Sequence, residues 1–315
     1  MLTAHLPAFR TIGAEFEMAV PCVGVGGGLD VQRTLATVLS ANGVRALARP
    51  YCREPVPAGV DVTVEHDSSI RGETRYAGIV WHSVEIKTRV LNGIADWEEV
   101  VPKSLDIARY LGARVNATCG HHVHIGLPEV GMRPKVIRSL VNLVGRIEPV
   151  IYGMVAPSRR SSGFCLPMAN SLPNFKGCET LSEHCGRLIR TTRYYGCNLT
   201  HLTSTPPRVE YRWHQGTLDT TKARHWLRFL LRVTEHAAQR SCQSFAQPLA
   251  NDRRGWERMA TAIGLRVNSK IYRSCALEVA ETATYLLRRW KHFNGQPLRS
   301  PTPTLSEQAA EREVA

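Results

Sequence analysis

Four short stretches of this chain alternate apolar and polar positions with the two-residue period of a β-strand, and in each the polar positions carry reactive side chains. They are Glu15-Phe-Glu17, Glu85-Ile-Lys87, Gly120-His-His122-Val-His124 and Glu210-Tyr-Arg212. Residues i and i+2 of a strand share a face, so Glu15 is expected to stand with Glu17, His122 with His124, and Glu210 with Arg212. Flanking apolar and β-branched residues extend the first and third stretches into strands over residues 12–20 and 115–127. Further strands are expected over residues 60–65, 79–90, 194–202 and 208–213.

Helical spacing predicts helices over residues 31–42, 96–111, 133–154 and 180–190, and a mainly helical portion from 219 to about 293. Asp30 and Asp219 are placed to cap two of them at the N-terminus. The glycine-rich run at residues 23–29 lacks the Lys-Ser/Thr of a P-loop, and reads as a flexible connection into Asp30. Residues 156–177 follow neither period, and the stretch is long enough to be a lid or a substrate-facing segment. Strands with helices between them, followed by helices, indicate the α+β class with a largely antiparallel sheet. One domain is expected over residues 1–295, helical from about 219, with a Pro-rich, disordered tail at 296–315.

At 315 residues and 43% hydrophobic content the chain can bury a sizeable core. Its apolar start is interrupted by His5, Pro7 and Arg10, unlike a usual signal peptide, and no window approaches the roughly 18 apolar residues of a membrane span. A soluble, cytoplasmic protein with no membrane partner is expected. The nine cysteines show no CxxC pairing and read as reduced, with Cys119 alone inside a suspected site. A net charge of +13 raises nucleic-acid binding as a reading, but the basic residues are scattered, without stacking motifs or zinc knuckles. Attraction to an anionic substrate such as ATP or a polycarboxylate explains the sign equally well.

Glu15, Glu17, Glu85 and Glu210 offer the hard oxygen ligands that magnesium prefers, and His122 offers a nitrogen. Arg212, two residues from Glu210, carries a guanidinium suited to gripping phosphate oxygens in two places at once. His-x-His with a carboxylate would also suit zinc in a hydrolase; against that, a third histidine is not evident and four Glu favour a harder ion.

The ordered set Gly13-Ala-Glu15-Phe-Glu17, Asp67-Ser68-Ser69, Ser83-Val-Glu85, Asn116 with Gly120-His-His122-Val-His124, Arg193-Tyr-Tyr195 with Asn198, and Glu210-Tyr-Arg212 through Gly216-Thr217 resembles the amidoligase family. That family belongs to the carboxylate-amine ligase superfamily, with glutamine synthetase and glutamate-cysteine ligase. The resemblance implies a glutamine synthetase-like catalytic fold, a curved, mainly antiparallel sheet with flanking helices. It implies that Glu15, Glu17, Glu85, His122 and Glu210 ligate magnesium or manganese, that His124 faces the phosphates of ATP, and that Arg212 contacts the γ-phosphate. Arg193 and Asn198 fall where phosphate or substrate contacts are expected, and Asp67 is a candidate for holding metal, orienting the amine or acting as its base. Of the pair His121-His122, the family spacing and the i, i+2 rule both select His122. The implied reaction joins an amino acid, peptide or protein carboxylate to an amine through an acyl phosphate. Relatives of this superfamily often assemble, so a homo-oligomer is an open expectation.

Overall fold

The computed structural model describes residues 10–23, 27–71, 75–76, 79–168, 172–188, 192–239, 247–265 and 276–294. The expected tail at 296–315 and the glycines at 24–26 lie outside them. The chain forms two compact units. A strand-rich unit comprises Thr11–Val123 with Gln215–Ala223, and a helix-rich unit comprises Arg10, His124–His214 and residues 224–294.

In the strand-rich unit β1 (Thr11–Val23) is followed by α1 (Gly28–Ala41), β2 (Ala46–Ala48), β3 (Val62–Glu65), β4 (Arg75–Tyr76), β5 (Ile79–Thr88), β6 (Leu91–Asn92) and α2 (Gly93–Tyr110). Next comes β7 (Gly120–Gly126), of which residues 120–123 belong here. The strands lie in the order β2-β3-β5-β1-β7, with β4 beside β5 and β6 beside β1. Alternate residues of β1, namely Ile12, Ala14, Phe16 and Met18, are buried, as are Val84 and Ile86 of β5. α1 buries Val31, Leu35, Ala36 and Leu39, and α2 buries Trp97, Val101, Leu105 and Ala108, which closes an apolar core over one sheet face.

The helix-rich unit takes residues 124–126 of β7 and continues through α3 (Glu129–Met132), α4 (Lys135–Met154), α5 (Pro157–Arg160), α6 (Leu181–Leu188), β8 (Cys197–Asn198) and β9 (Arg208–Gln215) to α7 (Thr220–Gln239), α8 (Arg253–Ala262) and α9 (Ala276–Phe293). Its strands lie in the order β7-β9-β8. α4 is buried along most of its length and packs against α8 and α9. On β9, Tyr211 donates to or accepts from Thr234 at 2.8 Å and Trp213 donates its indole N–H to Glu148 at 3.1 Å, which leaves Glu210 and Arg212 on the opposite phase.

The curved, mainly antiparallel sheet expected from the resemblance is not what the chain forms. β2 runs parallel to β3, while β3–β5, β1–β5 and β8–β9 are antiparallel, so the sheet is mixed. Its order ends in β2 at one edge and β8 at the other, so it is open and neither curled nor closed. The reason is local: residues 49–61 carry the chain from the end of β2 back to the start of β3, and a return of about a dozen residues makes neighbours parallel.

Other boundaries shift for equally local reasons. Gly27, not Asp30, precedes α1; Asp30 sits one turn in, where its carboxylate accepts from the Gly27 N–H at 3.1 Å. The histidine strand begins at Gly120 because Asn116 turns the chain, accepting from the Thr118 N–H at 2.8 Å. The strand expected over 194–202 shrinks to β8, since Asn198 accepts from the Thr200 N–H at 3.0 Å and starts a 3-10 turn at Thr200–Thr203. Asp219 caps α7 as expected, accepting from the Lys222 N–H at 3.1 Å.

One buried cation organises the helix-rich unit. Arg10, 2% exposed, donates to Glu235 of α7 and Glu129 of α3, each at 2.8 Å, and to the Gly126 carbonyl at the end of β7 at 3.0 Å. Arg10→Met removes the cation and leaves two largely buried carboxylates behind, so a destabilisation of about 3–5 kcal/mol is expected. Urea denaturation of the two proteins checks this, and an unchanged midpoint would contradict it.

Candidate functional site

The antiparallel register of the strand-rich unit fixes what meets what. Glu17 lies opposite Glu85 and Glu85 opposite Glu65; in the next row Glu15 lies opposite Lys87 and Lys87 opposite Thr63. Paired residues share a sheet face, so two rows crossing β3, β5 and β1 present four glutamates and one lysine on a single surface. Glu65 is neutralised internally: Arg49 donates to it at 2.8 Å, Lys87 at 3.2 Å and Thr63 at 2.7 Å.

The other carboxylates are not so compensated. Glu17, Asp67 and Glu85 place one oxygen each within 4.8 Å of one another. Glu17 and Glu85 are buried, 4% and 5% exposed, and Asp67 is half-buried in a turn closed by the Ser69 N–H on its Oδ1 at 2.7 Å. Burial, then the charges of Glu15, Glu17 and Asp67, push Glu85 well above the ordinary carboxylate range, with Lys87 opposing. A set of oxygen donors under mutual repulsion fits a hard divalent cation such as magnesium or manganese.

His122 stands against this group, its Nδ1 3.0 Å from Glu15 Oε2 and its Nε2 3.5 Å from Glu17 Oε1. His121 points the other way. It stacks on Phe16 with ring centroids 4.1 Å apart, its Nδ1 lies 3.1 Å from the Glu15 carbonyl, and burial lowers its pKa to about 3, so it is neutral. Two glycines permit the crowding. A Cβ on Gly120 would meet His122 Nε2 at 2.7 Å, while its N–H donates to Glu17 at 2.5 Å; a Cβ on Gly216 would meet Cys119 Cβ at 2.5 Å. Cys119 is fully buried there.

The helix-rich unit holds the remaining residues. Glu210 is 3% exposed; Asn198 donates to its Oε2 at 2.6 Å and Arg212 pairs with its Oε1. Asn198 is 1% exposed, and its oxygen accepts from both the N–H and the hydroxyl of Thr200, so its side chain orients Glu210. His124, His201 and Glu210 place one donor atom each within 4.8 Å of one another, with His124 and His201 rings 5.7 Å apart. Arg193 is exposed and lies over the Tyr194 ring at 5.0 Å.

His201 is not among the candidate residues read from the sequence. Its only signal was its position three residues beyond Asn198, in a turn no period marks. It is the second histidine that a zinc site with Glu210 would need beside His124. Yet Arg208 lies 3.3 Å from its Nδ1. A guanidinium only donates, so Nδ1 accepts and the imidazole proton sits on Nε2, facing Glu210 Oε2 at 3.6 Å. In that tautomer Nε2 has no lone pair for a metal.

The stretch at 156–177, expected as a lid or substrate-facing segment, is tied down through residues 159–166. Leu166 donates to the Tyr194 carbonyl at 2.7 Å and accepts from Gly196 at 2.8 Å, and the Phe164 carbonyl accepts from Arg212 Nε at 3.2 Å. Residues 164–166 thus lie against Gly196 and Arg212.

The strand-rich unit thus holds a buried carboxylate cluster that could hold a metal ion, and the helix-rich unit holds an arginine paired with Glu210. A protein-family model described as "Putative amidoligase enzyme" matches residues 9–234, and the chain belongs to that family of amidoligase-type enzymes. No curated protein matches the chain. Among the described residues, no helix is long and apolar enough to cross a membrane.

The raised pKa of Glu85 has a signed consequence for stability. A carboxyl whose folded pKa lies above its unfolded value, about 4.3, contributes stability below that value and loses it as pH rises through the folded pKa. Above that range the cation-free protein bears the repulsion. Glu85→Gln is therefore expected to raise the thermal midpoint in EDTA at pH 7.5 by roughly 2–4 °C per kcal/mol relieved, and to lose the rise that magnesium gives the wild type. Thermal scans from pH 5 to 8, with EDTA or magnesium, check both signs.

Proposed function

We propose that the protein is an ATP-dependent ligase that joins a carboxylate to an amine through an acyl phosphate. The observation that carries this reading is the cluster of Glu17, Asp67 and Glu85, three oxygen donors under mutual repulsion in a chain of the amidoligase family. Glu17 and Glu85, with Glu15 and His122 beside them, would hold a magnesium or manganese ion, which would supply charge neutralisation for the polyphosphate of ATP.

This chain's own residues do the rest. Arg212 keeps its charge at any working pH and presents it from β9, and it is assigned to the γ-phosphate, where negative charge spreads as the phosphoryl group moves. Glu210 holds that guanidinium, Asn198 holds Glu210, and His124 is assigned to the neighbouring phosphate oxygens. Attack by the substrate carboxylate on the γ-phosphorus forms the acyl phosphate and releases ADP. Attack by an uncharged amine on the acyl carbon then forms the amide and releases phosphate, the amine proton passing to a base for which half-buried Asp67 is the candidate. Glu210 is a further metal ligand on this reading, and Arg193 a contact for the outer phosphates or the substrate.

A second reading, a zinc hydrolase, rests on the grouping of His124, His201 and Glu210. The tautomer that Arg208 imposes on His201 weighs against it.

Thermal stabilisation separates the two. ATP with magnesium is expected to raise the midpoint of the wild type and not of Glu17→Ala, with zinc alone giving little. In a screen of carboxylate and amine pairs for phosphate release, Arg212→Ala is expected to lose about 100-fold or more in kcat. Stabilisation by zinc alone, with no nucleotide response, would favour the hydrolase.

A further inference from the structure

We infer that Arg159 is a positioning residue that aims Arg212 at its anionic ligand, an inference that rests on the ligase reading above. Arg159 and Arg160 end the short helix α5 and part ways. Arg160 donates to the Tyr152 carbonyl at 2.8 Å, whereas Arg159 turns inward, is 2% exposed, and donates from Nη2 to the main-chain carbonyl of Arg212 at 2.7 Å. Its Nε is buried without a hydrogen-bond partner among the described residues.

A buried guanidinium whose hydrogen bond goes to a main-chain carbonyl is costly to desolvate, so an apolar side chain would serve packing alone better. What Arg159 does supply is aim. Arg212 is fixed at four points: its N–H donates to the Gly196 carbonyl at 2.7 Å, its carbonyl accepts from Arg159, its Nε donates to the Phe164 carbonyl at 3.2 Å, and its Nη1 pairs with Glu210. Two of those points, Arg159 and Phe164, belong to the same short stretch of chain. Phe164 is itself held by the Ser162 hydroxyl, which accepts its N–H at 3.1 Å, and Cys165 by the Tyr152 hydroxyl, which donates to its carbonyl at 2.7 Å. A second positive charge behind Arg212 also adds to the potential that draws an anion to it.

The test is calorimetric titration of wild type, Arg159→Met and Arg159→Lys with magnesium and either a non-hydrolysable ATP analogue or ADP. The wild type is expected to prefer the triphosphate. Arg159→Met should lose about tenfold in affinity for the triphosphate while its affinity for ADP stays within about twofold, and Arg159→Lys, which keeps one donor and the charge, should recover part of the loss. Equal weakening toward both nucleotides would mark a merely structural residue, and an unaltered triphosphate preference would equally overturn the inference. Should Arg159→Met fail to fold, Arg159→Gln and Arg159→Lys give the same comparison. A wild type that binds neither nucleotide removes the ligase reading and the inference with it, whereas a triphosphate preference that survives in the variants removes the inference alone.

Discussion

Like charges held in a dry place must be neutralised, protonated or separated, and the strand-rich unit is built around carboxylates that cannot separate. Backbone register sets Glu17 opposite Glu85 and Glu15 one row away, and neither can slip by one residue without turning Ile12, Phe16 and Met18 out of the core. The apolar face thus locks the acidic face. Glu65, in the same row, shows the other outcome: with Arg49 and Lys87 at hand it is a structural ion-pair centre. Two glutamates on adjacent strands therefore stand in opposite environments, because one has internal cations against it and the other is crowded by like charges.

The helix-rich unit meets the inverse problem. Its buried charges include arginines as well as carboxylates, and the arginines differ in their partners. Arg10 meets two carboxylates and a carbonyl, Arg212 meets a carboxylate and a carbonyl among its partners, and Arg159 meets the Arg212 carbonyl. Each of these guanidiniums ties separate elements of the unit together.

What the alternation along the chain could reveal was whatever depends on local geometry. The pairings of Glu15 with Glu17 and of Glu210 with Arg212 follow from the strand period; that both glutamates meet His122 comes from the neighbouring strand. The long helices were legible too, because α2, α4 and α7 each carry many turns of consistent spacing. What was hidden depends on distant partners. A three-residue strand such as β2 has no period to read, and its parallel pairing with β3 is decided by the connection between them. The resemblance put Asn198 among phosphate or substrate contacts, and what no period could show is that it is buried with its amide on Glu210. His201 carries no strand or helix signature and reaches Glu210 through a turn that Asn198 itself creates.

The same distinction bears on the formal charge of +13. A nucleic-acid-binding protein turns such an excess outward, as clustered basic side chains facing phosphates. Here Arg10, Arg159, Arg232 and Arg289 are buried, and Arg45, Arg49 and Arg89 are engaged with Asp61, Glu65 and Asp96. Asp61 is held well below the usual carboxylate range by the guanidiniums of Arg45 and Arg89, the mark of cations already committed within the fold. Seven of the forty Lys and Arg side chains are thus engaged within the fold rather than turned toward a polyanion.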